Sequence, residues 1–213
     1  MKKILIVTAV QAEKEAVQKG IGDDPRFVVH DAGVGTSLAA AFTAKTLALE
    51  HFQLVISTGI AGGFTDKVEV CSTVLGTEII AADLGVETQN GFQSIDTLGF
   101  GTNRLVAELP MVQRMYEALQ KNQLPVYSGP ILTVSTITGT ADSANSLSLR
   151  YPEAVAEAME GFGVATAATL FEIPVLELRT ISNAIGPRDR ENWKIRDALE
   201  ALTSTFKVIK EVF

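Results

Sequence analysis

The residues able to do chemistry sit in a few short segments: Glu13 behind the first apolar run, Gly33-Val34-Gly35, Ser57 to Gly63, Met159-Glu160-Gly161, and Ser182-Asn183. Glu13 can act as a base toward water, or it can be a favourable charge near a helix N-terminus. Ser57-Thr58-Gly59-Ile60-Ala61-Gly62-Gly63 sets three glycines at the end of a strand. Without a Cβ there, backbone can approach a flat ligand closely, although a sharp turn needs the same residues. Glu160 is the only charge between Ala158 and Leu170. Carboxylates are almost never buried without partners, so it either caps local amides or accepts from adjacent ligand hydroxyls. Asn183 closes a buried strand, where a carboxamide offers one donor and one acceptor to a base edge or simply forms a turn.

The elements that must position these residues alternate. Ile4 to Ala9, Phe27 to Asp31, Leu54 to Thr58, Ser72 to Ala82, Ile131 to Ser135 and Val175 to Ile181 read as strands. Gln11 to Lys19, Thr36 to Leu49, Leu109 to Lys121, Ala154 to Phe171 and Glu191 to Phe213 read as helices. The Gly-punctuated segment from Gly85 to Gly101 takes no assignment. Such alternation implies an α/β fold, a largely parallel sheet with helices on both faces. Ligands of open sheets bind beyond the carboxyl ends of strands, and that is where Glu13, Gly33 to Gly35, Gly59 to Gly63 and Asn183 fall.

The 213 residues, 46% hydrophobic and without a linker-like stretch, are expected to form one domain over 1–213. A net charge of -7 with scattered Lys and Arg disfavours nucleic acid as a partner. The run Ile4 to Val7 is too short for a signal-peptide core and no later run reaches membrane-span length, so the expected address is the cytosol with no membrane partner. One cysteine and two histidines leave no disulfide framework and no metal-ligand cluster. Gly33-Val34-Gly35-Thr36-Ser37-Leu38 is a poor dinucleotide fingerprint. Leu38 stands at the third glycine position, the segment follows the second strand, and no acidic residue closes a following strand. A nicotinamide-dependent oxidoreductase is disfavoured accordingly.

In this order and spacing, Ala9-Val10-Gln11-Ala12-Glu13, Gly33-Val34-Gly35, Ser57 to Gly63, Met159-Glu160-Gly161 and Ile181-Ser182-Asn183-Ala184 resemble the nucleoside phosphorylase superfamily, specifically its methylthioadenosine nucleosidase-like hydrolases. The resemblance implies a three-layer α/β/α fold around a mixed central sheet, a small-molecule nucleoside substrate, no metal or organic cofactor, and a homo-oligomer built from dimers. It places Glu13 near the nucleophilic water, Glu160 on the ribose hydroxyls and Met159 beneath the sugar. Asn183 would face N7 and the C6 substituent of the purine. Ile60, Ala61 and Gly62, with residues around Thr138 and Thr140, would line the base.

The adenine-specific hydrolases carry aspartate where this chain has Asn183. A carboxamide can donate to O6 while its carbonyl accepts from a protonated N7, so a 6-oxopurine is expected over adenine. Phosphorolysis needs cations for phosphate, and Leu54-Val55-Ile56-Ser57 lacks the arginine that bacterial-type phosphorylases carry there. The stretch from Phe162 to Ile195, with Ser182 to Arg190 and Trp193, looks most like the futalosine-cleaving branch, implying release of hypoxanthine. The rival readings are a methylthioadenosine or S-adenosylhomocysteine nucleosidase, a phosphate-dependent purine nucleoside phosphorylase, and a silent purine-binding module, against which Glu13 argues.

Overall fold

The computed structural model describes residues 3–213; Met1 and Lys2, the start of the domain expected over 1–213, lie outside the described residues. In chain order the elements are β1 (Ile4–Thr8), α1 (Gln11–Ile21), β2 (Phe27–Asp31), α2 (Thr36–Leu49), β3 (Leu54–Gly63), β4 (Thr73–Ala81), β5 (Gly85–Thr88), β6 (Gly91–Ser94), β7 (Arg104–Val106), α3 (Leu109–Lys121), β8 (Val126–Thr133), α4 (Ala141–Arg150), β9 (Ala156–Ala158), α5 (Gly161–Leu170), β10 (Val175–Ala184) and α6 (Ile195–Ile209), with single 3-10 turns before and after α6. Among the described residues no helix is long and apolar enough to cross a membrane.

β1 is buried along its whole length because it is covered on both faces, and its alternating side chains divide the core. Ile4 and Ile6 pack with Val17, Met115, Leu202 and Phe206 from α1, α3 and α6. Leu5 and Val7 pack with Ala39, Leu47, Val164 and Ala168 from α2 and α5. The result is three layers, helices over sheet over helices. Small residues set the closest approaches. A Cβ at Gly163 would lie 2.2 Å from the Thr36 carbonyl oxygen, which lets the start of α5 rest on the start of α2.

The sheet is mixed. Parallel ladders join β1 to β2 and β3, β3 to β10, β4 to β8 and β8 to β9, whereas β10–β4, β3–β9 and β4–β7 are antiparallel. Because β10 pairs with both β3 and β4, the path β10-β4-β8-β9-β3 closes on itself and β1-β2 extends from it. The ladders are largely parallel and the sheet is mixed, as expected; what is corrected is its openness, because β10 joins β3 and β4 and closes the path.

Three local expectations change. Residues 154–171, read as one apolar helix, are the three-residue strand β9, a bend, and then α5. Gly161 and Gly163 weaken helix continuity there, and buried β9 satisfies its backbone on both β3 and β8. α4 went unread because Ala-Asp-Ser-Ala-Asn-Ser is turn-like in composition; the Thr140 hydroxyl accepts from Ser143 N at 3.1 Å and starts it. The unassigned stretch after Gly85 forms the β5–β6 hairpin.

The packing of α1 on α6 is tight enough to test. Alanine at position 20 gains about 1 kcal/mol of helix propensity over glycine. Its Cβ, however, would lie 2.6 Å from Thr203 O and 2.7 Å from Phe206 Cβ, and overpacking costs roughly 1–3 kcal/mol. Because one of those neighbours is backbone, the clash outweighs the gain: Gly20→Ala is expected to lose up to about 2 kcal/mol in urea denaturation. A stabilised variant would show that this interface is loose.

Candidate active site

The first strand-to-helix turn builds the first acidic group. Glu13, at the third position of α1, reaches back so that its Oε2 accepts from the backbone N–H of Ala9 at 2.9 Å and of Val10 at 3.3 Å. This is the carboxylate half of a capping box. Its Oε1 accepts from Ile60 N on β3 at 2.9 Å. Gly59 makes this reach possible, because a Cβ there would sit 2.4 Å from Glu13 Oε1. A carboxylate has about four lone-pair positions, so one remains for a ligand on the cavity side. Burial pushes the Glu13 pKa up, while nearby Arg179 and the Ile60 and Ala9 amides pull against that rise.

Glu160 stands at the cap of α5 rather than inside a helix, which corrects its expected setting. Its Oε1 accepts from Gly35 N at 3.1 Å and its Oε2 from Met159 N at 3.3 Å. It therefore sits where α2 and α5 both begin, and two positive helix ends favour its charge. Arg179 Nη1 lies 3.3 Å from Glu160 Oε2, both side chains being buried.

Arg179 on β10 was not singled out in the sequence, and neither was its partner Glu177. Two ionisable groups two residues apart on a buried strand share one face, and that spacing was the available signal. Arg179 Nε donates to Glu177 Oε1 at 2.9 Å and its Nη2 to Ser57 Oγ at 3.2 Å. Burial works to lower the arginine's pKa, yet Glu177, Glu160 and Glu13 together hold it above its ordinary value. Glu177 is fully buried with Oε2 unpartnered, and burial raises its pKa to about 7 despite the adjacent guanidinium.

Asn183 owes its aim to a β-bulge. The β10–β3 register slips between Ile181 and Asn183, so successive residues Ser182 and Asn183 both face one cavity. Asn183 Oδ1 accepts from Ser182 Oγ at 2.8 Å and Nδ2 donates to Ala184 O at 2.9 Å. One N–H and one carbonyl lone pair stay free.

The structure brings Glu13, Ile60, Ala61, Gly62, Met159, Glu160 and Asn183 to the wall of a single cavity of about 210 Å³. Thr138 and Thr140 do not line it. Thr138 instead donates from N at 2.9 Å and from Oγ1 at 2.6 Å to the two oxygens of Glu157, and Thr140 caps α4. Glu157, Trp193, Val134 and Ile137 also line it. Glu157 was missed because the stretch holding it was read as helix.

The cavity thus gathers the carboxylates of Glu13 and Glu160 and the carboxamide of Asn183 within one lining. Residues 9–212 match the phosphorylase superfamily model, and the chain belongs to that superfamily. Within it, the chain is 44% identical to the futalosine hydrolase of Streptomyces coelicolor, covering 94% of this chain and 92% of that one. It is 42% identical to the futalosine hydrolase of Acidothermus cellulolyticus, over 97% and 90% of the two chains. The fold also matches the native structure of futalosine hydrolase of Helicobacter pylori, with a TM-score of 0.87 at 15% identity over 100% of this chain and 98% of that one. A mutant Helicobacter pylori MTAN with 5′-methylthioadenosine in its active site aligns at a TM-score of 0.88 and 16% identity, over 100% of both chains.

The raised Glu177 pKa has a signed consequence. Folded protein holds this proton more tightly than unfolded chain, whose group titrates near 4.5, so Glu177's contribution to stability falls as pH rises from about 4.5 through about 7. Glu177→Gln, which mimics the protonated form, should therefore gain on the wild type across that window when thermal midpoints are compared at pH 5 and pH 8. A constant difference between the two proteins would mean that Glu177 is ionised throughout.

Proposed function

We propose that this chain is an N-ribosyl hydrolase that cleaves futalosine to hypoxanthine and dehypoxanthinyl futalosine, a step of menaquinone biosynthesis. The observation that carries the reading is the commitment of the buried cation: Arg179 is held by Glu177 and Glu160, with Glu13 a further negative neighbour. A phosphate entering there would meet two carboxylates, whereas a water can donate to Glu13. The curated relatives at 44% and 42% identity point to the same reaction.

Glu13, its pKa raised by burial, is the base that takes a proton from the attacking water. Glu160 accepts from the ribose hydroxyls and favours the positive charge that develops on the sugar, with Met159 packed beneath it. Asn183 uses its free N–H for O6 and its free lone pair for a protonated N7. Ile60, Ala61 and Gly62 line the base. Trp193 offers an apolar face for the aromatic 5′ arm of futalosine, and the Arg188 guanidinium, 5.5 Å over the Trp193 ring, is a cation for the arm's carboxylate.

The same reading takes the enzyme to be cytoplasmic and a homo-oligomer built from dimers. Val34, half-exposed on the cavity wall, and Leu38, more than half-exposed on α2, provide apolar surface for a second subunit.

Chromatography of products from futalosine, inosine and methylthioadenosine, each with and without phosphate, tests the reaction. Hypoxanthine is expected from futalosine at a rate indifferent to phosphate, and a sugar 1-phosphate product would overturn the hydrolytic reading. Glu13→Gln and Glu160→Gln should each lose most turnover while remaining folded, and the wild-type acid limb of kcat/KM should lie above pH 4.5, the ordinary glutamate value. Near-normal turnover in either variant would remove that residue from the chemistry. Asn183→Asp should lose roughly one to two orders of magnitude in preference for futalosine over its 6-amino analogue, the worth of one unpaired buried edge. An unchanged ratio would show that Asn183 does not read C6.

A further inference from the structure

The proposed reaction gives no part to Glu177, which is 1% exposed on β10 and does not line the cavity. The fold nevertheless makes room for it. A Cβ on Gly76 of β4 would lie 3.3 Å from the Glu177 Cβ, and one on Gly161 at the start of α5 would lie 2.2 Å from its Oε2 and 2.3 Å from its Oε1. On its other side the ladder sets Glu177 against Ser57 of β3. Replacing a buried ion pair by apolar residues of similar volume is often neutral or stabilising, so stability alone does not account for a carboxylate here.

Its hydrogen bond does. Arg179 Nε donates to Glu177 Oε1 at 2.9 Å, while Nη2 donates to Ser57 Oγ at 3.2 Å and Nη1 lies 3.3 Å from Glu160 Oε2. A guanidinium is planar with its donors at fixed angles, so one bond at Nε sets the rotation of the plane and with it the aim of both terminal nitrogens. Of these three partners Glu160 alone lines the cavity. Released at Nε, the plane would be free to turn and present two N–H groups side by side to Glu160, the pairing that carboxylates favour, and so draw that group from the ribose hydroxyls. The charged groups facing Glu177 are Arg179 on its own strand and Glu160 at the start of α5, and burial outweighs the guanidinium to raise its pKa to about 7. Oε2 has no partner among the described residues and is the place for a proton, which leaves Oε1 an acceptor in either ionisation state.

Resting on the reading of Glu160 as the ribose ligand of an N-ribosyl hydrolase, we infer that Glu177 is a positioning residue for that reaction: the acceptor oxygen it offers Arg179 Nε aims the guanidinium and thereby sets Glu160 for the sugar. Its reach matters and its charge does not. A residue outside the cavity then governs turnover through one intermediate side chain.

Two variants separate reach from charge. Glu177→Gln keeps an acceptor oxygen at full length, whereas Glu177→Asp keeps the carboxyl group one methylene short of Nε. At pH 6, below the Glu177 value of about 7, Glu177→Gln should hold kcat within a few-fold of the wild type. Glu177→Asp should lose about tenfold to hundredfold in kcat, the usual cost of a slight misplacement. KM should change much less, because Glu160 counts most as positive charge develops on the sugar. A purely structural Glu177 would lower thermal midpoints and leave kcat per folded molecule unchanged in both variants; that result, or a Gln variant as impaired as the Asp one, overturns the assignment. If either variant does not fold, the wild type decides: the Arg179 Nε–H proton resonance should persist from pH 5 to pH 8, and its loss at either end overturns the assignment as well. Kinetics are read on whichever of futalosine, inosine and methylthioadenosine the wild type cleaves, since each presents a ribose to Glu160. If futalosine is spared but the Gln and Asp pattern holds on another substrate, the substrate reading fails and this inference stands. If futalosine is cleaved and Glu177→Asp turns over normally, the reverse holds.

Discussion

A single buried guanidinium organises this protein. Arg179 is 1% exposed at the centre of the sheet, and its neighbours are Glu177 on its own strand, Ser57 on β3 and Glu160 at the start of α5. Desolvating a charge of this kind is recovered only where geometry and hydrogen bonding are both good, and breaking such a pair from one side costs about 3–5 kcal/mol. The network therefore resists variation. It also lies against Glu160 where two helices begin and pulls down the pKa of Glu13 against the rise that burial causes, so one side chain braces two carboxylates of the cavity wall. Arg179 is in turn engaged by Glu177, Ser57 and Glu160.

Glycines let the other elements close on that network. Gly161 follows Glu160, and a Cβ on it would lie 2.2 Å from Glu177 Oε2. Gly59 stands against Glu13 in the same manner, Gly62 against Ile185, whose Cγ2 would lie 2.8 Å from a Cβ there, and Gly63 against Val68, at 2.6 Å. A loop with three glycines in five positions is thus three separate accommodations, each to a different neighbour. The bulge at Ser182 complements them by turning Asn183 onto the face that Ser182 already occupies.

Much of this was legible in the sequence where local pattern and tertiary outcome agree. β1, β2 and the Thr36–Leu49 and Leu109–Lys121 helices appear where β-branched runs and helical periodicity place them. Glu13 stands out in the sequence because it follows a strand, Asn183 because it closes one, and Met159-Glu160 because a lone charge in an apolar run demands a partner; all four line the cavity. Glu157 was hidden for the opposite reason: β9 is three residues long, too short to show a period of two, and its pairing with β3 and β8 comes entirely from distant chain. Glu177 and Arg179 carried a readable spacing, but nothing local says that a buried strand places its charges beneath a ligand site. Thr138 illustrates the limit of alignment by order alone, since it bonds Glu157 on the cavity wall without lining that cavity itself.

The account stands on water, rather than an anion, occupying the place between Glu13 and the sugar while Arg179 remains engaged by its carboxylates. A crystal structure with hypoxanthine and the ribosyl product analogue, grown in phosphate buffer, tests this most directly. The account predicts an ordered water within hydrogen-bond distance of Glu13, Glu160 across the sugar hydroxyls, and Arg179 still paired with Glu177 and Glu160. A phosphate seated on Arg179, with Glu160 turned away from it, would contradict the account.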